Sequence, residues 1–134
     1  MIVTRISQVF LALLALAFCK TGIEALINPQ AVLANVGIDL NSPAALSSMR
    51  AVYGGMHLMF GLFCVGGIFK NQSTALLLVI LYTAGFVTGR IVSWIADGTP
   101  NEFVITWLAT ETFSLVGCTL LLFLIWNKKR TTNP

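Results

Sequence analysis

The chain has 134 residues, of which 57% are hydrophobic and only 10% are charged, and its formal net charge is +3. Globular soluble domains are about 45–50% apolar and about 25% charged, so this composition excludes an ordinary water-soluble domain. Three of the eight basic residues lie together in the tail Lys128-Lys129-Arg130, so the small positive charge gives no reason to expect a nucleic-acid partner.

Four apolar segments are long enough to cross a bilayer, which takes about 20 helical residues. They predict spans over Ile6–Ile27, Ala51–Phe69, Thr74–Ala96 and Phe103–Trp126. The first segment also imitates a secretory signal peptide, but we interpret it as a retained span. The sequence therefore predicts one all-α domain over residues 1–134 that forms an integral membrane four-helix bundle. The lipid bilayer is its expected surroundings and partner.

Proline and cap residues predict where the longest connection begins and ends. Asn28-Pro29 ends the first span, because proline cannot continue a helix and disfavours the helical conformation of the residue before it. The stretch that follows predicts a short interfacial helix ending at Gly37. Ser42 and Pro43 are the residue types that favour an N-cap and a first helical position, so they predict the start of the second long helix.

The loop before the last span contains a match to a capping box. Thr99 would be the N-cap, Pro100 would take the first helical position and Glu102 would follow at the third. The pattern predicts that the fourth long helix begins at Pro100.

The placement of Lys and Arg predicts the orientation in the membrane. Arg5, Lys70 and the basic tail lie on one side of the predicted bilayer. The opposite loops carry Asp39, Asp97 and Glu102, without Lys or Arg away from the helix ends. We therefore expect both termini to be cytoplasmic, in a bacterial cytoplasmic (inner) membrane.

The ionisable residues inside the spans are confined to one half of the predicted bilayer. At 1.5 Å rise per residue from the outer helix ends, they lie roughly 5 to 12 Å deep in a hydrocarbon layer about 30 Å thick. A charge in hydrocarbon costs several kcal/mol, so such residues usually face the bundle interior, pair with each other or line a wet cavity. The sequence predicts one polar site, open toward the outer face. The residues are Lys20, Glu24, His57, Arg90 and Glu111, with Arg50 at the lip.

Charge balance indicates what this site could bind. Lys20 can pair with Glu24 four residues later, and Arg90 can pair with Glu111. Arg50 and His57 would then remain unpaired and make the pocket slightly positive and rich in donors. Guanidinium groups match carboxylates and phosphates. We therefore expect a binding protein for a small anionic or polar ligand, a lipid headgroup or a membrane partner. The expected ligand-binding residues are Arg50, Tyr53, His57, Arg90 and Glu111.

Each of these residues also has a plainer interpretation. Arg90 and Glu111 could form an ion pair that only fixes helix register. His57 could be a neutral imidazole hydrogen-bonded inside the bundle, and Tyr53 an interfacial aromatic. His57 has no second His or Cys nearby in the sequence, and no nucleophile, metal-ligand set or cofactor motif is present. An enzyme therefore has the least support, and we expect no catalytic residue, metal or cofactor.

Small residues recur on the same helices as the polar ones. They let helix backbones approach closely, which matters in lipid because apolar area alone does not drive association there. The segment from Gly85 to Gly89 is a G-x-x-x-G motif, which is compatible with a homo-oligomer. The expected helix-packing residues are Gly54, Gly55, Gly61, Gly85 and Gly89.

A small homodimeric transporter, in which Glu111 exchanges protons for substrate, is the alternative function. A transporter needs polar groups near the bilayer midplane with access from both sides. The inner half of the predicted spans is apolar instead, as in Leu120-Leu121-Leu122-Phe123. The pattern therefore favours the binding protein.

One run of the sequence resembles a large family of small bacterial four-span membrane proteins that is catalogued as a domain of unknown function. The run is Arg50-Ala51-Val52-Tyr53-Gly54-Gly55-Met56-His57, followed by Gly61, Gly89-Arg90 and Asp97-Gly98. The resemblance covers nearly the whole chain and implies a four-helix integral membrane fold. It implies no activity, substrate or cofactor. It picks out Arg50, Tyr53, Gly54, Gly55, His57, Arg90 and Glu111.

Overall fold

A computed structural model describes residues 2–132, and every regular element within them is helical. The elements, in chain order, are α1 (Ile2–Ile27), α2 (Pro29–Ala34), α3 (Pro43–Met49), a π-helical segment (Arg50–Met56), α4 (His57–Phe69), α5 (Gln72–Asp97) and α6 (Glu102–Thr132). The second long helix runs without interruption from α3 through the π-helical segment to α4. Four helices are long and apolar enough to cross a membrane: Ile2–Ile27, Pro43–Phe69, Gln72–Asp97 and Glu102–Lys128.

The connection after α1 contains the predicted short helix, with different bounds, and the predicted start of the second long helix. The Asn28 side chain accepts a hydrogen bond from the Ala31 N–H, so the residue that ends α1 also caps α2. The turn after α2 uses Gly37 at φ +74°, a left-handed conformation that glycine adopts without strain. Ser42 then caps α3, with its hydroxyl 3.1 Å from the Ala45 nitrogen. The predicted start of α3 is confirmed, but α2 begins at Pro29 and ends at Ala34, three residues before the predicted end at Gly37, because the turn that contains Gly37 begins directly after Ala34.

The predicted start of the last helix was wrong by two residues. α6 begins at Glu102, and Asn101 rather than Thr99 provides the cap, because its Oδ1 accepts the Val104 N–H at 3.0 Å. Asparagine is among the strongest N-cap residues. The Asn101 amide also donates to the Asn35 carbonyl at 2.9 Å, which holds the start of α6 beside the end of α2.

An apolar core fills the end of the bundle where α1 begins and α6 ends. It takes side chains from the first half of α1, the last part of α4, the first half of α5 and the last half of α6. The buried residues are Leu11, Ala15, Cys64, Ala75, Leu76, Val79, Cys118, Leu121 and Leu122. The interior at the opposite end is polar and contains cavities, so the two halves of the bundle differ in chemistry.

Glycines allow α1 to lie directly against the second long helix. A Cβ on Gly22 would lie 2.6 Å from the Leu58 nitrogen, and a Cβ on Gly54 would lie 2.8 Å from the Leu26 side chain. Gly61 likewise faces Cys19 on α1. The sequence pattern did not single out Gly22.

The other predicted packing glycines lie in more open positions. A Cβ on Gly55 would come no closer than 3.9 Å to another atom, the Arg50 carbonyl oxygen. Gly85 and Gly89 are exposed on α5, and a Cβ on either would have no atom within 4 Å in the part of the chain described. Within one chain, the G-x-x-x-G motif therefore makes no close helix contact.

Contact between α1 and α6 is concentrated toward the core end of the bundle. The rings of Phe10 and Phe113 lie 5.9 Å apart, and Gly117 faces Phe10. At the other end, residues from Ala17 onward in α1 and the first turns of α6 line an open groove between the two helices. The bundle is therefore closed at one end and open at the side near the other.

Candidate functional site

Arg90 and Glu111 form a two-point ion pair across the α5–α6 contact. The Arg90 Nε lies 2.7 Å from Glu111 Oε2, and Nη2 lies 2.9 Å from Oε1. The side chains are only 23% and 12% exposed, and bidentate guanidinium–carboxylate pairs are the strong, geometrically specific kind. Both ion pairs anticipated from the sequence are present, because Lys20 also lies 2.6 Å from Glu24 on the exposed face of α1.

His57 lies at the centre of a hydrogen-bonded group at the start of α4. Only 8% of the residue is exposed. Its Nδ1 lies 3.3 Å from the Val52 carbonyl oxygen and its Nε2 lies 3.0 Å from the Tyr82 hydroxyl. A carbonyl oxygen can only accept, so Nδ1 carries the proton in a neutral ring and Nε2 accepts from Tyr82. The Tyr82 hydroxyl also lies 3.3 Å from Nδ1, so the contact with the Val52 carbonyl is the one that favours a proton on Nδ1, and the contacts together fix the orientation of the ring.

Four aromatic rings surround this imidazole. Tyr53 stacks on it at a centroid distance of 5.7 Å and an interplanar angle of 15°, while the other three approach with ring planes steeply inclined to its own. Those three are Phe18, Tyr82 and Phe86. Tyr82 was not among the predicted site residues, although its spacing of four and eight residues from Phe86 and Arg90 places it on the same face of α5.

Most of the run from Arg50 to His57 that carries the family resemblance is π-helical. A π-helix bonds each residue to the fifth along the chain, is rare and is often found at functional sites. The segment covers Arg50–Met56. Tyr53 lies within it and His57 follows it directly, and both residues line the outer of the interior cavities described below. Arg50 is exposed, and its Nε donates to the Leu26 carbonyl at the end of α1 at 3.1 Å.

Two small chambers lie side by side in the polar half of the bundle. The deep chamber has a volume of about 70 Å³ and extends down to Leu14 and Ser114. The outer chamber has a volume of about 80 Å³, is lined by Arg90, and is covered by α2 through residues such as Leu33. Both chambers are lined by Thr21, His57, Phe86, Trp107 and Glu111.

The open groove beside them is much larger. We call it the lateral groove; its volume is about 610 Å³ and its walls come from α1, α2 and the start of α6. Thr21 and Trp107 line the lateral groove and both chambers, so they stand at the junction between the three spaces. The Lys20–Glu24 pair lies along the groove.

The structure brings together four of the five expected ligand-binding residues. Tyr53, His57, Arg90 and Glu111 all line the outer chamber. Arg50 does not line either chamber or the lateral groove. The site also includes Thr21 and Trp107, and the sequence offered a signal only for Trp107, which lies one helical turn before Glu111.

Metal coordination has no basis in the described residues. Within residues 2–132, no group of three His, Cys, Asp or Glu side chains is placed to hold an ion. Cys64 and Cys118 are buried in the apolar core, and Cys19 is half-buried against Gly61.

Comparison with known proteins gives one match. A family model described as "Domain of unknown function (DUF4345)" matches residues 6–125, which include most of each long helix and the whole candidate site. No curated protein and no solved structure matches the chain.

Proposed function

We propose that the chain, which belongs to the DUF4345 family, is an integral membrane protein that binds a small polar ligand in the two chambers. In this proposal both termini face the cytoplasm of a bacterial cell and the chambers lie toward the outer face of the cytoplasmic membrane. The observation that carries the proposal is the largely buried Arg90–Glu111 pair, which lies in the wall of a cavity instead of in solid packing.

An ion pair that serves only to fix helix register needs no space beside it. Here Glu111 and Trp107 line both chambers, and Tyr53 lines the outer chamber. The Trp107 N–H and the Tyr53 hydroxyl have no hydrogen-bond partner within residues 2–132, and since no fully buried polar side-chain atom there lacks a partner, both groups are accessible to a small molecule. A ligand with polar atoms would supply the missing partners.

The charges at the site favour a polar ligand without net charge. Arg90 is balanced by Glu111 in the chamber wall, and Lys20 is balanced by Glu24 along the lateral groove. Arg50, which the sequence analysis counted as a free positive group of the pocket, is directed to the Leu26 carbonyl. An anion or a lipid headgroup would therefore find fewer free cationic groups than the sequence suggested.

The alternative of a homodimeric proton-coupled transporter receives less support. Both carboxylate oxygens of Glu111 are engaged by Arg90, and the apolar core fills the bundle between the chambers and the ends of the chain. A transporter would require substrate-dependent proton flux in reconstituted vesicles, abolished by Glu111→Gln.

Thermal unfolding of detergent-purified protein tests the binding proposal. The parent is screened against neutral polar compounds, small anions and lipids, and each stabilising compound is tested again on Arg90→Gln/Glu111→Gln. The matched control is Ser93→Ala/Asp97→Asn, which removes an exposed hydrogen-bonded pair on α5 outside the chambers and the lateral groove. A shift in Tm that disappears only in the Arg90/Glu111 double variant supports the proposal, and a shift that both double variants retain contradicts it.

A further inference from the structure

We propose that the ligand is an amphiphile with one hydroxylated aromatic ring on an apolar chain, of the alkylphenol class. Its ring occupies the two chambers, its chain lies in the lateral groove, and it enters from the side between α1 and α6. This inference rests on the proposed function and adds the ligand class and the route of entry.

The size of the chambers limits the part of the ligand that enters them. Their volumes are about 70 and 80 Å³, and five residues line both. A protein cavity of roughly 150 Å³ accepts one benzene ring. Each chamber alone is smaller than this, so the proposal requires the ring to span both at their shared wall, and a fused ring system or a phospholipid headgroup exceeds their combined volume.

The walls of the chambers suit an aromatic ring with a hydroxyl group. Phe18, Phe86 and Trp107 provide aromatic surfaces, against which a further ring packs in inclined or offset geometry. A carboxylate has about four lone-pair sites, so Glu111 can accept a ligand hydroxyl in addition to its two bonds from Arg90. Trp107, which lines both chambers, and Tyr53, which lines the outer one, carry further donor groups.

The lateral groove suits an apolar chain. Most of its lining is apolar, including Ala17, Ile27 and Phe103, and it is open along its length. It meets the chambers at Thr21 and Trp107, while Phe10 and Phe113 close the gap between α1 and α6 farther along the bundle. A molecule dissolved in the bilayer could therefore place its ring inside and leave its chain in the groove, without passing through water.

Three probes separate the parts of this proposal: 4-octylphenol, octylbenzene, which lacks the hydroxyl, and phenol, which lacks the chain. The readout is the fluorescence of Trp107 in Trp94→Phe/Trp126→Phe protein in lipid nanodiscs, because the chain has three tryptophans and this background keeps only Trp107. We expect saturable binding of 4-octylphenol, with octylbenzene and phenol at least tenfold weaker.

Two variants test the route. Ala31 is exposed and lines the lateral groove without lining either chamber, so Ala31→Phe, which adds bulk without a second tryptophan, should weaken 4-octylphenol at least fivefold and leave phenol unchanged. Thr21→Phe should block the junction and weaken both probes. Thr88→Phe, on an exposed part of α5, is the matched control and should change neither.

The outcomes distinguish this inference from the proposed function. Equal binding of phenol and 4-octylphenol, or no effect of Ala31→Phe, overturns the groove as the chain site. Equal binding of octylbenzene and 4-octylphenol overturns the hydroxylated ring. If none of the probes binds, the ligand class is wrong. The proposed function still stands in that case if another compound shows a Tm shift that requires Arg90 and Glu111. If no compound shows such a shift, the proposed function fails as well.

Discussion

Both carboxylate oxygens of Glu111 accept hydrogen bonds from one edge of the planar Arg90 guanidinium, at 2.7 and 2.9 Å. The pair joins α5 to α6 and forms part of the chamber wall beside His57. Because the charges of Arg90 and Glu111 offset each other, the pair gives the chamber wall polar groups without a net charge. This balance is the reason that we propose a neutral ligand, whereas the sequence alone left an anion equally open.

The two ion pairs should differ sharply in their effect on stability. Glu111→Ala leaves Arg90 without a counter-charge in a largely enclosed site, and we expect it to lower the free energy of unfolding by about 3 kcal/mol. Glu24→Ala breaks the exposed Lys20–Glu24 pair and should cost less than about 1 kcal/mol. Unfolding curves in mixed micelles measure both, and similar losses would show that the Arg90–Glu111 site is as solvated as the surface.

The glycines on α1 and α5 should respond oppositely to alanine. Gly22→Ala would place a Cβ 2.6 Å from the Leu58 backbone nitrogen, which forces the helices apart, so we expect a loss of about 1–3 kcal/mol. Gly85→Ala meets no atom within 4 Å in the described chain and should be neutral or stabilising by up to about 1 kcal/mol, since alanine favours the helix. Thermal unfolding compares the two. A large loss at Gly85 would indicate that a second copy or another partner covers that face.

Much of the fold could be predicted from the sequence because its signals are local. Apolar length gave the four long helices, and side chains such as Ser42 specify a helix start through a bond to a residue three positions away. The start of α6 was misplaced because Thr99 and Asn101 are both good caps, and the contact between Asn101 and the Asn35 carbonyl is not visible in a local pattern.

The candidate site was predictable in its depth but not in its full membership. Residues at similar depth in different helices were expected to meet, and the ion pair of Arg90 with Glu111 follows that expectation. The position of Arg50 did not follow, because the sequence pattern assumed one regular helical face from Arg50 to Gly61 and the π-helical segment changes the spacing at its start. Tyr82 and Thr21 were missed because nothing near them in the sequence marks the cavity that they share.

Tyr82 and Tyr53 should separate stability from ligand binding. Tyr82→Phe removes the hydroxyl that bonds His57 Nε2 at 3.0 Å and leaves a buried acceptor unsatisfied, so we expect a loss of about 1–3 kcal/mol. Tyr53→Phe removes a hydroxyl that has no partner within residues 2–132, and should change the free energy of unfolding by less than about 0.5 kcal/mol. Tyr53→Phe should nevertheless weaken 4-octylphenol. A larger loss of unfolding free energy for Tyr53→Phe than for Tyr82→Phe would exclude the hydrogen bond between Tyr82 and His57.

Arg50 and Arg90 provide a direct comparison between the sequence-based site and the site that the geometry favours. Arg50→Gln removes a bond from an exposed guanidinium to the Leu26 carbonyl, so we expect a loss of about 1 kcal/mol in stability and no change in ligand-induced Tm shifts. Arg90→Gln disrupts the chamber wall and should abolish those shifts, and the paired variant Arg90→Gln/Glu111→Gln controls for the stranded carboxylate. The measurement is the Tm of each variant with and without the stabilising compound. If Arg50→Gln abolishes the shift while remaining folded, the binding site extends beyond the chambers to the end of α1, and the ligand carries a negative charge after all.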